Sequence, residues 1–324
     1  MKNLLSINKY VEGVLKKDIS VLARAITLIE SSKEEHQEIS KQIIEKILPY
    51  TGKSVRLGIT GVPGVGKSTF IEVFGQILVQ KNHKVAVLAV DPSSTLSKGS
   101  ILGDKTRMEK LSIDDHVFIR PSPSSGSLGG VARKTRESIL LCEAAGFDYI
   151  IIETVGVGQS ETEVHQLTDF FLLLMLAGAG DELQGIKRGI MEMADGVTIT
   201  KCDGNNLDKA KIARAEYANA IHLFPPTESG WIPEVKTCSS TENNGIEEVY
   251  DMIEKYIRHT QSKNFFQKKR QEQTTFWFES LIQEKIKEHF FSDKNFLQRY
   301  NNAKEHITKN EISILNAVNS VFTK

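Results

Sequence analysis

Eight consecutive residues, Gly61-Val62-Pro63-Gly64-Val65-Gly66-Lys67-Ser68, carry the spacing G-x-x-x-x-G-K-[ST]. Each residue type has a task at a polyphosphate. Glycines let successive backbone N–H groups turn inward around a phosphate, Lys67 reaches the β- and γ-phosphates, and the Ser68 hydroxyl sits on Mg²⁺. The strand-like RLGIT precedes the string, and a helix-like run from Thr69 follows it. The helix would add the positive end of its dipole to the same anion site. The expected phosphate cradle is therefore Gly61 through Thr69.

A second group of residues suits the metal and the terminal phosphate. Glu153 closes the apolar run Tyr149–Ile152 and opens Glu-Thr-Val-Gly. A carboxylate opposite a phosphate loop holds Mg²⁺ or a water on it, and the N–H of Gly156 can contact a γ-phosphate. Glu is longer than the more usual Asp and favours contact through a water. Asp91 closes the run VAVLAV, and Asp104 lies in Gly-Asp-Lys-Thr-Arg-Met. Two carboxylates in a hydroxyl-rich stretch suit a switch around Mg²⁺. The plain alternative for Asp104 is an Asx turn among surface charges.

A third group suits a base. Thr200-Lys201-Cys202-Asp203 follows the run GVTI and resembles the N-K-x-D element. There an aspartate accepts hydrogen bonds from guanine N1–H and the exocyclic amine, while the lysine stem packs on the ring. Thr200 stands where asparagine is usual, which weakens one base contact by analogy. Downstream, Thr237-Cys238-Ser239-Ser240 resembles the last base-contacting loop of such proteins, with Ser239 and Ser240 as candidates.

The elements that must position these groups alternate. Apolar runs at Val55–Thr60, Val85–Val90, Val117–Arg120, Tyr149–Ile152, Phe170–Leu176 and Gly196–Thr200 are separated mostly by amphipathic stretches. Near-continuous apolar strands with helical crossovers predict an α/β fold with a mostly parallel central sheet flanked by helices. Ligands in such sheets bind beyond the carboxyl ends of the strands, where the polar motifs fall. Residues 1–53 read as a helical extension, with Val11, Val14, Leu15, Ile19, Leu22 and Ile26 at three-to-four spacing. Residues 54–245 form the nucleotide-binding domain, and 246–324 read as helical again. The Lys- and Gln-rich stretch 261–275 reads as a solvated helical face.

Composition excludes several classes. Forty-one Lys and Arg balance forty-one Asp and Glu, so no surplus of positive charge exists for nucleic acid or an anionic membrane. Three scattered cysteines and no Cys-x-x-Cys argue against a disulfide scaffold. The eight histidines form no metal-binding spacing. No signal peptide is evident, and the longest apolar run, Phe170 to Gly180, falls short of the ~20 residues of a membrane span. The expected address is the cytoplasm.

Taken together, GVPGVGKST, AVDPSS, GSILGDKTRM, ETVGVGQSE and GAGDELQGIKRGIMEMAD resemble the MeaB/ArgK family of P-loop GTPases. The resemblance spans residues 55–245 with helical flanks of the expected kind. It implies a P-loop NTPase fold, GTP/GDP and Mg²⁺ as ligands, and a homodimer formed through the C-terminal helices. The implied partner is an adenosylcobalamin-dependent acyl-CoA mutase of the methylmalonyl-CoA type, whose cofactor loading and protection the GTP cycle would gate. Carried over residue by residue, the catalytic set is Lys67, Asp104, Glu153 and Gly156, and the metal set is Ser68, Asp91, Asp104 and Glu153. Switch regions fall at 91–107, at 155–161 with Gln159 and Glu161, and at 178–189 with Asp181, Gln184 and Lys187. The same family has been described as an ATP-dependent kinase of arginine/ornithine transport. That reading needs an adenine pocket, against which Lys201 and Asp203 argue. A nickel-delivery GTPase would need a Cys/His cluster that the sequence lacks.

Overall fold

A computed structural model describes residues 4–90, 108–122, 128–154, 160–178, 188–225 and 227–322. The strands are β1 (Val55–Gly61), β2 (Val85–Val90), β3 (Val117–Ser122), β4 (Tyr149–Thr154), β5 (Phe170–Leu176), β6 (Gly196–Thr200) and β7 (Glu234–Thr237). They form one seven-stranded sheet in the order β3-β2-β4-β1-β5-β6-β7, with every pairing parallel. The expected α/β class holds. β1 lies at the centre of the sheet between β4 and β5, so its loop meets the ends of strands on both sides.

Thirteen helices are described. The N-terminal ones are α1 (Ile7–Leu15), α2 (Ile19–Glu30) and α3 (Glu34–Ile47). Asp18 caps α2 by accepting from the N–H groups of Ser20 and Val21, which satisfies two donors no helix can satisfy internally. Crossovers are α4 (Lys67–Gln80), α5 (Glu109–Ser112), α6 (Leu128–Ala144), α7 (Ser160–His165), α8 (Arg188–Met193) and α9 (Leu207–Ile221). The remainder are α10 (Ile246–Ser262), α11 (Phe265–Ser292), α12 (Lys294–Thr308) and α13 (Ile314–Phe322). One core joins Leu57, Ile59 and Leu172 of the sheet to Phe70 and Phe74 of α4 and to Val249, Ile253 and Tyr256 of α10. α2 packs on α6 and β3.

The expected boundary after residue 245 is not where the compact units divide. Residues Met1–Arg270 form one unit and Gln271–Lys324 the other. Helix α10 belongs with the sheet because its apolar stripe is buried in the sheet's own core. The second unit has a small core of Phe296, Ala303, Ala317 and Val321. Its surface leaves Phe278 at 65% exposure and both Ile314 and Leu315 at 71%.

The 261–275 stretch is also not wholly solvated. The Arg270 guanidinium donates through Nε and Nη2 to the two oxygens of Asp169, at 2.8 and 2.7 Å. It also donates to the carbonyls of Gly52 and Ser54, at 2.7 and 2.6 Å. Asp169, which directly precedes β5, accepts the N–H of Arg56 in β1 as well. Lys269 donates to the Asp169 carbonyl at 2.8 Å. Beside them Glu143 accepts from Arg56, Ser54 and the Gly52 N–H. Burial alone would raise the Glu143 carboxyl, but the Arg56 charge and these hydrogen bonds hold it below its ordinary range. The clamp therefore pins β1 and β5 at the ends opposite their loops. Arg270→Leu would leave the buried Asp169 charge short of its cation, a cost of about 3–5 kcal/mol. Urea denaturation should show that loss, and a change within error would remove the clamp from the account of stability.

Candidate functional site

The loop after β1 needs conformations that only glycine adopts easily. Gly64 and Gly66 have φ of 78° and 97°, with open space where a Cβ would stand, so backbone conformation is the constraint. At Gly61 the constraint is space, since a Cβ would lie 2.4 Å from the Leu174 carbonyl on β5. Helix α4 starts at Lys67 with Gly66 as its N-cap and no side-chain cap. The first N–H groups of a helix have no internal acceptor, so this end is open to an anion.

The carbonyls of the loop are held by side chains. The Lys67 ammonium donates to Gly61 at 2.8 Å and Val62 at 3.3 Å. Lys201 donates to Gly64 at 2.8 Å. The Thr200 hydroxyl donates to Val65 at 2.7 Å and lies 3.2 Å from the Met175 carbonyl. A trans peptide points its N–H opposite its C=O, so turning the Val65 carbonyl to Thr200 turns the Gly66 N–H the other way. Lys67 is buried, which pushes its pKa down against the opposing charges of Glu153 and Glu161. A desolvated ammonium beside helix N–H groups is a strong site for phosphate oxygens.

Glu153, buried at the end of β4, sits opposite Ile59 of β1 and Ala89 of β2. Its Oε1 accepts the Ser68 hydroxyl at 3.0 Å. The two expected metal ligands of the described residues thus meet directly. Their hard oxygens are the donor type that Mg²⁺ takes. Glu161, fully buried at the start of α7, stands near enough for its charge to act on Lys67. Asp91, Asp104, Gly156, Gln159, Asp181, Gln184 and Lys187 lie outside the described residues.

The base-site group assembles where β6 and β7 end. Cys238 N–H donates to Ile199 at 2.8 Å, and Cys202 N–H donates back to Cys238 at 3.0 Å. One residue more than a regular parallel ladder allows lies between those bonds, and Lys201 takes φ 56° there. Asp203 follows, and its Oδ2 accepts from the hydroxyls of Ser239 at 2.6 Å and Thr241 at 2.9 Å. Those two hydrogen bonds hold its carboxyl below the ordinary range, so it is an anion at neutral pH. Two readings need adjustment. Thr200 was expected at the base, but its buried hydroxyl is engaged with the loop backbone. Of the two serines, Ser239 meets Asp203, while Ser240 is half-buried without such a contact. Sequence reasoning missed Thr241, for which the hydroxyl-rich string Ser239-Ser240-Thr241 was the available signal.

A central strand, a glycine-built turn, a buried lysine on the first helical turn and a carboxylate on the neighbouring strand define a P-loop nucleotide hydrolase. Within that class the chain belongs to the MeaB family: a model described as "Methylmalonyl Co-A mutase-associated GTPase MeaB" matches residues 22–295. This bears out the resemblance read from the motifs and makes the protein a guanine-nucleotide-binding GTPase. It is 44% identical over 313 residues to "GTPase ArgK" of Escherichia coli, covering 97% of this chain and 95% of that one. It is 46% identical over 294 residues to the mouse "Methylmalonic aciduria type A homolog, mitochondrial", covering 88% and 71% of the two chains. A solved structure titled "Crystal structure of LAO/AO transport system kinase" superposes with TM-score 0.81 at 37% identity, covering 99% of this chain and 98% of that one.

Removing the Thr200 hydroxyl tests the strap on the loop. Thr200→Val would leave the buried Val65 carbonyl without its donor, a loss of about 1–3 kcal/mol. Denaturation without nucleotide should register it, calorimetric GDP affinity should fall, and Thr200→Ser should restore both. Wild-type values for Thr200→Val would show that the strap contributes nothing.

Proposed function

We propose that this protein is a Mg²⁺-dependent GTPase that escorts an adenosylcobalamin-dependent acyl-CoA mutase of the methylmalonyl-CoA type. Its GTP cycle would gate cofactor loading and protect the mutase. Family membership supports the mutase, and the observation that carries the chemistry is the Lys67, Ser68 and Glu153 cluster at the open N-terminus of α4. Ser68 and Glu153 would hold Mg²⁺, joined by Asp91 and Asp104 on the sequence reading. That ion would neutralise charge on the β- and γ-phosphate oxygens. Lys67 would leave the carbonyls of Gly61 and Val62 for the same oxygens, and Asp203 would accept from guanine N1–H and the 2-amino group.

The exposed apolar side chains of Gln271–Lys324 support a homodimer through this unit. No described helix is long and apolar enough to cross a membrane. The three cysteines are free, as a reducing cytoplasm would keep them.

Turnover should be slow without the partner. Fast GTPases of the Ras type position water with a glutamine directly after the switch glycine. Here Val157 follows Gly156, and an apolar side chain orients no water. Steady-state phosphate release should be slow for the protein alone and rise on adding the mutase. Many turnovers per second alone, with no gain from any mutase, would contradict the escort role.

Base choice is the second test. Adenine offers no donor at N1 or at position 2, and a site built for those donors rejects such an analogue by about 10⁴-fold or more. Asp203→Asn should shift preference towards xanthosine triphosphate, whose 2-oxo group needs a donor. Competition among GTP, ATP and XTP on both proteins decides the matter. Equal wild-type affinity for ATP and GTP would revive the kinase reading.

A further inference from the structure

Asp203, just beyond the end of β6, is half-buried, and its carboxylate is not free to turn. Ser239 and Thr241 both approach a single oxygen, Oδ2. Each hydroxyl has one proton. The anion is the strongest acceptor within reach of either, so both protons go to it. The two donors differ in their own support. Ser239 is fully buried, and its oxygen accepts the Glu242 N–H at 3.1 Å. Thr241 is exposed, in the turn closed by the Ser239–Asn244 bridge. A carboxylate has about four acceptor positions. Two on Oδ2 are occupied by this loop, and Oδ1 receives nothing from the described residues.

We propose that Thr241 is a specificity-determining positioning residue of the base site. With Ser239 it fixes the Asp203 carboxylate in one orientation and leaves Oδ1 to the donors of guanine. The proposal rests on the reading of Asp203 as the guanine acceptor. The physical reason is the terminal torsion of an aspartate, which is broad and roughly two-fold and so sets no single orientation by itself. Ser239 alone sets one point of that plane. The second hydroxyl, 3.0 Å from the first, occupies the other acceptor position of Oδ2 and resists rotation about the first bond. An acceptor oriented before the ligand arrives loses less freedom on binding. The benefit falls on the ligand that uses the carboxylate, which is guanine, and not on the phosphates or ribose.

A purely structural role for Thr241 would be to close the 239–244 turn. That role would lower the melting temperature and weaken every nucleotide alike. The proposed role separates guanine from adenine. Thr241→Val keeps the β-branched shape and removes the hydroxyl, and Thr241→Ser keeps the hydroxyl. The full chain is titrated calorimetrically with GDP, GTP and ATP, and hydrolysis is followed at varied GTP. Thr241→Val should weaken GDP and GTP by about three- to tenfold and raise KM for GTP by the same factor. The rate constant kcat, ATP affinity and melting temperature should stay at wild-type values, and Thr241→Ser should bind GTP as the wild type does. Unchanged GTP affinity in Thr241→Val overturns the proposal, as does equal weakening of GTP and ATP. In both cases a wild type that prefers GTP leaves the reading of Asp203 standing. A wild type that binds ATP and GTP equally removes that reading and the role of Thr241 with it.

Discussion

The orientation of a few backbone carbonyls governs this protein. The phosphate loop has no regular secondary structure of its own to satisfy its polar groups, and an unpaired buried carbonyl is costly. Lys67 satisfies Gly61 and Val62, Lys201 satisfies Gly64, and Thr200 satisfies Val65. With those oxygens turned outward to side chains, the N–H groups at the head of α4 remain for an anion. The bonds of Thr200 and Lys201 to the loop thus help shape the anion site at the head of α4.

Two of the three side chains that hold the loop come from the strand end that also carries Asp203. Thr200 and Lys201 act on the phosphate loop, and two residues later Asp203 faces the β7 loop. The extra residue in the β6–β7 ladder makes this possible by giving Lys201 a left-handed conformation. Two hydrogen bonds, from Thr200 to Val65 and from Lys201 to Gly64, thus tie this strand end to the phosphate loop.

The opposite end of the central strands is fixed by charge. Asp169, Arg270, Arg56 and Glu143 form a nearly buried lattice, in which the Arg270 and Asp169 side chains are only 10% and 2% exposed. The lattice pins the starts of β1 and β5, the strand carrying the phosphate loop and its neighbour. A rigid entry and a strapped exit hold β1 in register. The chemistry at its carboxyl end then depends on side chains, while the strand itself stays in place.

The sequence alone determined the class of fold and the phosphate site. The cradle is one contiguous string, and six of the seven strands are short apolar runs with polar residues at or just beyond their ends, as at Glu153, whereas β7, Glu-Val-Lys-Thr, is not. Local signals of that kind need no partner to be read. Tertiary structure decided the rest, because it depended on residues that meet only after folding. Thr200 looked like a weakened base contact, and its acceptor is Val65, 135 residues away. Arg270 looked like part of a solvated face until the fold brought it to Asp169, 101 residues off. Helix α10 read as the start of a separate region, although its apolar stripe fits only the face of this sheet. Thr241 had a suggestive neighbourhood, but a hydroxyl declares its acceptor only when a turn aims it. Types and spacing fix what a side chain can do, and the long-range fold fixes which partner it meets.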